Sequence, residues 1–263
     1  MPRILAFLMA LSLLAGCSLL PDEIDETKNW SASKLYYSAK DAMNDGNYEN
    51  AVKLFEKLEA RFPYGAYAQQ AQLEVAYAYY KDNEPVSAIA ACDRFIKLHP
   101  NHPHVDYAYY LKGLANFVED QSIFARFGDQ DMSDRDPKAA REAFEAFQQL
   151  VTRYPDSKYT PDAASRMKYL VNALAYNEVH VARYYYKRGA YVAAANRGKY
   201  VLEHFQQSPA LEEALAIMAR SYEKMGMKDL HDDAMRVLKL NFPSSEYVSN
   251  DVKVREKAWW KFW

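Results

Sequence analysis

This chain of 263 residues has few glycines and cysteines and little net charge: it contains 8 glycines and 2 cysteines, and its formal net charge is −2. So little glycine, with only 11 prolines, disfavours an all-β fold and enzymes that hold phosphate in a glycine-rich loop. Two cysteines exclude a disulfide framework and a four-cysteine zinc site. No basic excess supports nucleic-acid binding. Apolar residues make up half of the chain and tyrosine contributes 22 residues, so we expect a packed globular core.

The N-terminus carries an apolar run over residues 4–15, shorter than the roughly 20 residues that span a bilayer. With Arg3 before it, the run indicates a secretory signal. It ends in Leu14-Ala15-Gly16-Cys17, which resembles the cleavage box of bacterial lipoproteins. We therefore expect removal of residues 1–16 and a lipid on the Cys17 thiol, and we expect no other cofactor. An ordinary cleaved signal with a chance cysteine is the alternative.

The residues after Cys17 predict how the protein is held at a membrane. In lipoproteins of this type Asp in the next position retains the protein in the inner membrane, so Ser18 favours the outer membrane. Acyl chains on one N-terminus anchor a protein without a transmembrane helix. Residues 17–29 are polar and contain Pro21, which predicts a flexible tether. The expected location is the periplasmic face of the outer membrane.

A pattern of small and aromatic residues repeats along the rest of the chain. Small residues stand twelve positions apart at Ala39 and Ala51, at Ala76 and Ala88, and at Ala182 and Ala194. An aromatic residue or histidine, then usually proline, follows each second alanine, as in Phe62-Pro63. Small residues allow two helices to approach closely, and proline ends the second helix. This is the tetratricopeptide pattern of two antiparallel helices in about 34 residues.

The repeat register predicts an all-α superhelix of about five helical hairpins plus a C-terminal tail helix. Repeats 1–3 are assigned to residues 30–155, repeats 4 and 5 to 156–243, and the tail to 244–263. In the third repeat 18 extra residues separate the two small positions, which places an insertion near residues 119–136. Gly46, Gly189 and Gly226 stand where the first helix of a repeat must turn into the second.

A search for catalytic and metal-binding motifs finds no nucleotide-binding, hydrolase or zinc-protease signature, so we expect a protein without enzymatic activity. His99, His102 and His104 form one histidine cluster, but His99 occupies an aromatic packing position of the repeat. A metal site there is the weaker alternative. Aspartates between Asp129 and Asp136 lack the turn glycine and final glutamate of a calcium loop. Cys92 lies at a helical core position and is expected to be inert.

The inner face of such a superhelix is lined by the first helices of its repeats. The register predicts an aromatic groove with a few cations in repeats 1–3, which suits an extended peptide with aromatic side chains. At least half of its rings are expected to pack between helices instead. The predicted groove residues are Tyr36, Lys40, Tyr77, Tyr80, Lys81, Tyr107, Tyr110 and Phe117.

The lipoprotein box followed by five repeats resembles the BamD family of tetratricopeptide lipoproteins from the outer-membrane β-barrel assembly machinery. The resemblance runs from about Cys17 to Pro243 and is carried by ordered motifs: Arg61-Phe62-Pro63-Tyr64-Gly65, Tyr77-Ala78-Tyr79-Tyr80-Lys81, Asp93-Arg94-Phe95-Ile96, His102-Pro103, Asp106-Tyr107, Ser133-Asp134-Arg135-Asp136-Pro137. It implies a non-catalytic scaffold and receptor for unfolded β-barrel substrates, whose C-terminal signals end in an aromatic residue.

The resemblance also implies partners. These are the POTRA domains of BamA, other lipoprotein subunits such as BamC, and the unfolded β-barrel substrates. Asn196-Arg197 matches a family position whose arginine pairs with an acid on BamA, so Arg197 is implied at the partner interface. A periplasmic lipoprotein adaptor for cell-wall or secretion machinery, and a hydrolase with an unrecognised site, stay open as alternatives.

The C-terminal end departs from the family pattern. Residues 253–263 combine Trp259, Trp260, Phe262 and Trp263 with four basic residues. Such a segment suits a membrane interface, or a helix that covers the apolar end of the last repeat, and both interpretations stay open.

Overall fold

The computed structural model describes residues 25–119 and 137–249, and these residues form helices joined by turns. The longer helices pair into five antiparallel hairpins, which confirms the predicted tetratricopeptide-type superhelix. Within these ranges no helix has the length and apolarity needed to cross a membrane. The helices are α1 (Ala32–Asn44), α2 (Tyr48–Arg61), α3 (Ala66–Lys81), α4 (Pro85–Leu98), α5 (Val105–Glu119), α6 (Lys138–Arg153), α7 (Thr160–Lys187), α8 (Tyr191–His204), α9 (Ala210–Lys224), α10 (Lys228–Asn241) and the short α11 (Glu246–Ser249).

The turn inside each hairpin depends on one residue with a left-handed backbone. Gly46, Gly189 and Gly226 have φ values of 76°, 76° and 72°, as predicted for these glycines. Asn83 takes the same role in the second repeat with φ 62°. In all four turns the next backbone N–H donates to a carbonyl five residues earlier, at 2.8–3.0 Å. This closes the first helix and directs the chain into the second.

The second helix of each repeat ends in the same way. A ring-bearing residue follows its last turn, and the backbone N–H of that residue donates to the carbonyl four residues earlier at 2.8–2.9 Å. Proline then prevents continuation of the helix in four of the five repeats. These residues are Phe62, His99, Tyr154, Phe205 and Phe242.

The core is built from small residues on one helix against rings on the other. Ala39 and Ala51 are fully buried in the first hairpin, as is Phe147 in the third. A Cβ on Gly113 would stand 2.4 Å from Cε1 of Phe147, so this ring occupies the space that glycine leaves. Cys92 is fully buried, and burial raises the pKa of its thiol, as expected for an inert core residue.

The first helix of repeat 4 is much longer than the sequence register indicates. α7 has 28 residues, whereas the other first helices have 13 to 16. Its N-terminal turns contact repeat 3: Asp162 on α7 accepts a hydrogen bond from the hydroxyl of Tyr110 on α5 at 2.7 Å. First helices of successive repeats also contact one another, α1 with α3, α3 with α5, and α7 with α9, so they form the inner face.

The structure describes only part of the predicted tether and of the predicted tail. Residues 25–29, which the sequence analysis assigned to the tether, instead pack against α2 through Asp25 and Thr27. Cys17 and the rest of the tether lie outside the described residues, as do the insertion over 120–136 and the tail from residue 250 onward.

Candidate functional site

A groove of about 450 Å³ opens on the inner face, between the first helices of repeats 2 and 3 and the turn that leads into α7. Tyr77 and Tyr107 from the predicted set lie in its wall. The full lining is Ala66, Gln69, Gln70, Leu73, Glu74, Tyr77, His102, Pro103, His104, Tyr107, Lys158 and Tyr159.

The aromatic wall of the groove is held by ring contacts between repeats. The Tyr107 ring lies 5.2 Å from the Tyr159 ring, and Tyr159 stacks on Tyr110 with centroids 4.8 Å apart and planes at 17°. Burial raises the pKa of the Tyr107 hydroxyl, which therefore stays protonated at all physiological pH values. The rings thus form a neutral, preorganised surface for another ring.

The charges at the groove differ from the predicted ones. Lys40 Nζ lies 2.9 Å from Glu74 Oε1, and the Tyr36 hydroxyl donates to the same oxygen at 3.3 Å. The Lys40 cation is therefore neutralised inside the chain. Lys158, absent from the predicted set, is the lysine among the lining residues, and its ammonium lies 4.9 Å from the centroid of Tyr159.

The histidines of the cluster divide between packing and the groove. His99 Nε2 lies 2.9 Å from Gln72 Oε1, and its ring packs on Phe95 at 5.3 Å, as its repeat position predicts. His102 and His104 line the groove. Burial first, and then the neighbouring histidines, lower the pKa of His102, so its imidazole is neutral at pH 7. Within the described ranges no three His, Cys, Asp or Glu side chains form a metal-binding group.

The other predicted groove residues pack between helices or stand apart from the groove. Tyr36 is buried against Phe55, with ring centroids 5.8 Å apart. Tyr80 packs on the core of repeats 1 and 2. Phe117 lies between Tyr169, at 5.8 Å, and the Arg166 guanidinium, at 5.3 Å. Lys81 is exposed at the last residue of α3 and is not part of the lining.

Arg197, implied at a partner interface, lies on α8 and already has an acid within the chain. Its Nη1 donates to Glu178 Oε2 at 2.9 Å. The other oxygen of Glu178 lies 3.7 Å from Arg141 Nη2. Sequence reasoning missed Glu178 and Arg141 because they come from two other helices and no motif surrounds them.

Comparison with protein families gives a match along most of the chain. A family model described as YfiO, outer membrane lipoprotein, matches residues 28–238. The chain belongs to this family. Membership confirms the resemblance noted from the sequence, because the curated relatives are named "Outer membrane protein assembly factor BamD".

Three of these YfiO (BamD) relatives show the extent of similarity. The protein from Neisseria meningitidis serogroup A is 49% identical over 255 residues, 97% of this chain and 96% of the relative. That from Xylella fastidiosa strain Temecula1 is 38% identical, covering 87% of this chain and 76% of the relative. That from Vibrio cholerae serotype O1 is 35% identical, covering 90% and 97%.

Solved structures of helical-repeat proteins are more distant from this YfiO family member. A kinesin light chain protein with TPR-like repeats from Podosopora anserina is 15% identical, covers 81% of this chain and 96% of its own, and has a TM-score of 0.38. MamA is also 15% identical, with the same coverage and a TM-score of 0.35. The repeat assignment rests on the five hairpins themselves.

Proposed function

We propose that this chain is a non-catalytic subunit of the machinery that assembles β-barrel proteins in the outer membrane, where it acts as scaffold and substrate receptor. Family membership supports the assembly role. The observation that carries the receptor role is the aromatic groove of about 450 Å³ on the inner face, with a lysine in its wall. No nucleotide or metal chemistry enters this proposal.

The groove suits the C-terminal end of an unfolded β-barrel chain. An aromatic terminal side chain packs against Tyr77, Tyr107 and Tyr159, whose rings are already in place. The terminal carboxylate pairs with the Lys158 ammonium, because the Lys40 cation is held by Glu74. Since the rings are preorganised, binding costs little additional ordering of the receptor.

The proposed partners are those that the sequence resemblance implies. BamA binds through its POTRA domains to the scaffold side in repeats 4 and 5, with Arg197 at the contact, and BamC binds as a further lipoprotein subunit. A lipid on Cys17 anchors the chain to the periplasmic face of the outer membrane. Labelling with radioactive palmitate tests the anchor: wild type incorporates the label, and a Cys17→Ala variant that incorporates equally contradicts it.

Peptide binding tests the receptor role. A fluorescent peptide from the C-terminus of an outer-membrane β-barrel protein is titrated with the mature chain, as the free acid and as the C-terminal amide. We expect Lys158→Gln to weaken binding of the free-acid peptide roughly fivefold to tenfold, about 1 kcal/mol, and to leave binding of the amide peptide unchanged. Lys224→Gln, at the end of α9, is the control. Equal effects of Lys158→Gln on both peptides contradict the assigned carboxylate contact.

Affinity capture of the native lipoprotein tests the assembly role. We expect recovery of a large barrel protein that carries POTRA domains. Depletion of the chain is expected to lower outer-membrane porins before it alters peptidoglycan. Capture of cell-wall or secretion proteins in place of that barrel protein, with porins unchanged, supports the adaptor alternative and refutes the proposal.

A further inference from the structure

Among the carboxylates whose side chains the structure describes, Glu178 is the buried one, with 6% of its side chain exposed. It stands on α7, between α6 and α8. Arg141 reaches it from α6 with an N–O distance of 3.7 Å, and Arg197 reaches it from α8 with a distance of 2.9 Å. One buried acid therefore joins three helices of two repeats.

This cluster contains one more positive charge than negative charge. Burying a carboxylate costs several kcal/mol unless a cation pairs with it, and one guanidinium is enough to balance one carboxylate. Here two guanidiniums share Glu178, so the cluster carries a net charge of +1. Arg141 and Arg197 keep 54% and 45% of their side chains exposed. A guanidinium offers five N–H donors, and the described contact of Arg197 with Glu178 uses one nitrogen.

The cluster and the aromatic groove lie on different faces. The groove is lined by first helices and the turns before them, whereas both arginines come from second helices, α6 and α8. Because first helices contact each other along the inner face, the second helices lie outside. A ligand on the arginines therefore leaves the groove open.

We propose that Arg141 and Arg197, both held by the buried Glu178, form one two-guanidinium site on the outer face of repeats 3 and 4 that binds an acidic side chain of a protein partner. The proposal deepens the proposed function, because it rests on a partner contact at Arg197 and adds Arg141 as a second binding residue. Glu178 is a positioning residue: it holds both guanidiniums close together, the arrangement that a carboxylate needs for paired hydrogen bonds.

Arginine footprinting tests the site without assuming which partner binds. Phenylglyoxal modifies exposed arginines, and mass spectrometry measures the rate at each one, in the purified chain and in native outer membranes. We expect Arg141 and Arg197 to react in the purified chain and to be protected together, at least fivefold, in membranes. Arg236 on α10, which is 66% exposed, serves as control. If Arg141 reacts equally in both preparations, the proposal is overturned.

A second arm separates this inference from the proposed partner. Purified POTRA domains of BamA are added to the purified chain, and the same rates are measured. Protection in membranes that POTRA domains do not reproduce refutes that partner but keeps the site. Protection of neither arginine in membranes refutes the site, even where POTRA domains bind the chain.

Binding to the POTRA domains then measures the arginine contribution. Arg141→Lys and Arg197→Lys keep the charge beside Glu178, so the fold is retained, but they lose the planar fork. Each is expected to weaken binding about tenfold. Lys199→Arg, an exposed change on α8, is expected to bind as wild type. An Arg141→Lys variant that binds like Lys199→Arg contradicts the shared site.

Discussion

At the scale of single residues, Asp25 attaches the residues that precede α1 to α2. Its carboxylate accepts hydrogen bonds from the Thr27 hydroxyl at 2.7 Å and from Lys57 Nζ at 3.1 Å, and it pairs with Arg61. The Thr27 hydroxyl bond, followed by that of Lys57, lowers the pKa of Asp25 to about 2. This carboxylate therefore holds residues 25–29 against α2 throughout the physiological pH range.

The pKa of Asp25 predicts an acid-dependent contribution to stability. Its folded pKa of about 2 lies below the ordinary value of 3.8, so the stabilisation is complete above pH 3.8 and disappears as pH falls through about 2. The free energy of unfolding of Asp25→Asn is expected to lie below that of wild type at pH 5 and to approach it near pH 2. Glu26→Gln is the control, and a difference independent of pH contradicts the assignment.

At the scale of elements, close contact between helices depends on a glycine at the point of contact, because glycine has no side chain. A Cβ on Gly198, in the middle of α8, would stand 2.8 Å from the carbonyl oxygen of Ala214 and 2.5 Å from Cγ of Met218. The Met218 side chain can move, but the backbone of α9 cannot move without separating the hairpins. Glycine at this position therefore sets the distance between repeats 4 and 5.

Gly198→Ala tests this contact against helix propensity. In an exposed helix the change would stabilise the protein by about 1 kcal/mol. Here we expect a loss of about 1–3 kcal/mol, because the clash with a backbone atom outweighs the propensity. Urea unfolding measures the change in the free energy of unfolding, with Asn196→Ala on the exposed side of α8 as control. A Gly198→Ala variant at least as stable as wild type shows that the helices separate freely.

At the scale of the whole molecule, the described part of the stack ends at α10, which exposes two leucine side chains. In repeats 1–4 the second helix packs against the first helix of the next repeat. α10 has only the four-residue α11 after it in the described part. Its Leu240 is 72% exposed, and Leu230 is exposed on the same helix. Stacked repeats need a cap at such an end.

Removal of residues 253–263 tests whether the aromatic tail acts as that cap. If Trp259, Trp260, Phe262 and Trp263 cover α10, the truncated chain should melt several degrees lower, since it loses apolar contact area. Calorimetry measures this, and vesicle sedimentation measures membrane binding in parallel. An unchanged melting temperature with lost vesicle binding favours the membrane-interface interpretation of the tail.

The repeat register could be predicted from the sequence because its signals are local. Gly46 and Gly189 turn the chain through their own backbone, and Pro63 ends a helix through its own ring. Ala39 and Ala51 mark where two helices touch. The groove was predicted less completely: Tyr77 and Tyr107 were found, but Lys158 and Tyr159 were missed because they lie in a turn outside the helical pattern.

By itself, the sequence determined the five hairpins and the family, because each depends on residues within one repeat or on motifs read in order. The ion pairs and hydrogen bonds between distant side chains were decided by the tertiary structure. Lys40 meets Glu74 across 34 residues, and Tyr110 meets Asp162 across 52. Helical periodicity tells which face a side chain occupies, but the extended α7 and the insertion before α6 shift the register between repeats. Only the packed superhelix therefore decides which acid neutralises Lys40 and which two arginines share Glu178.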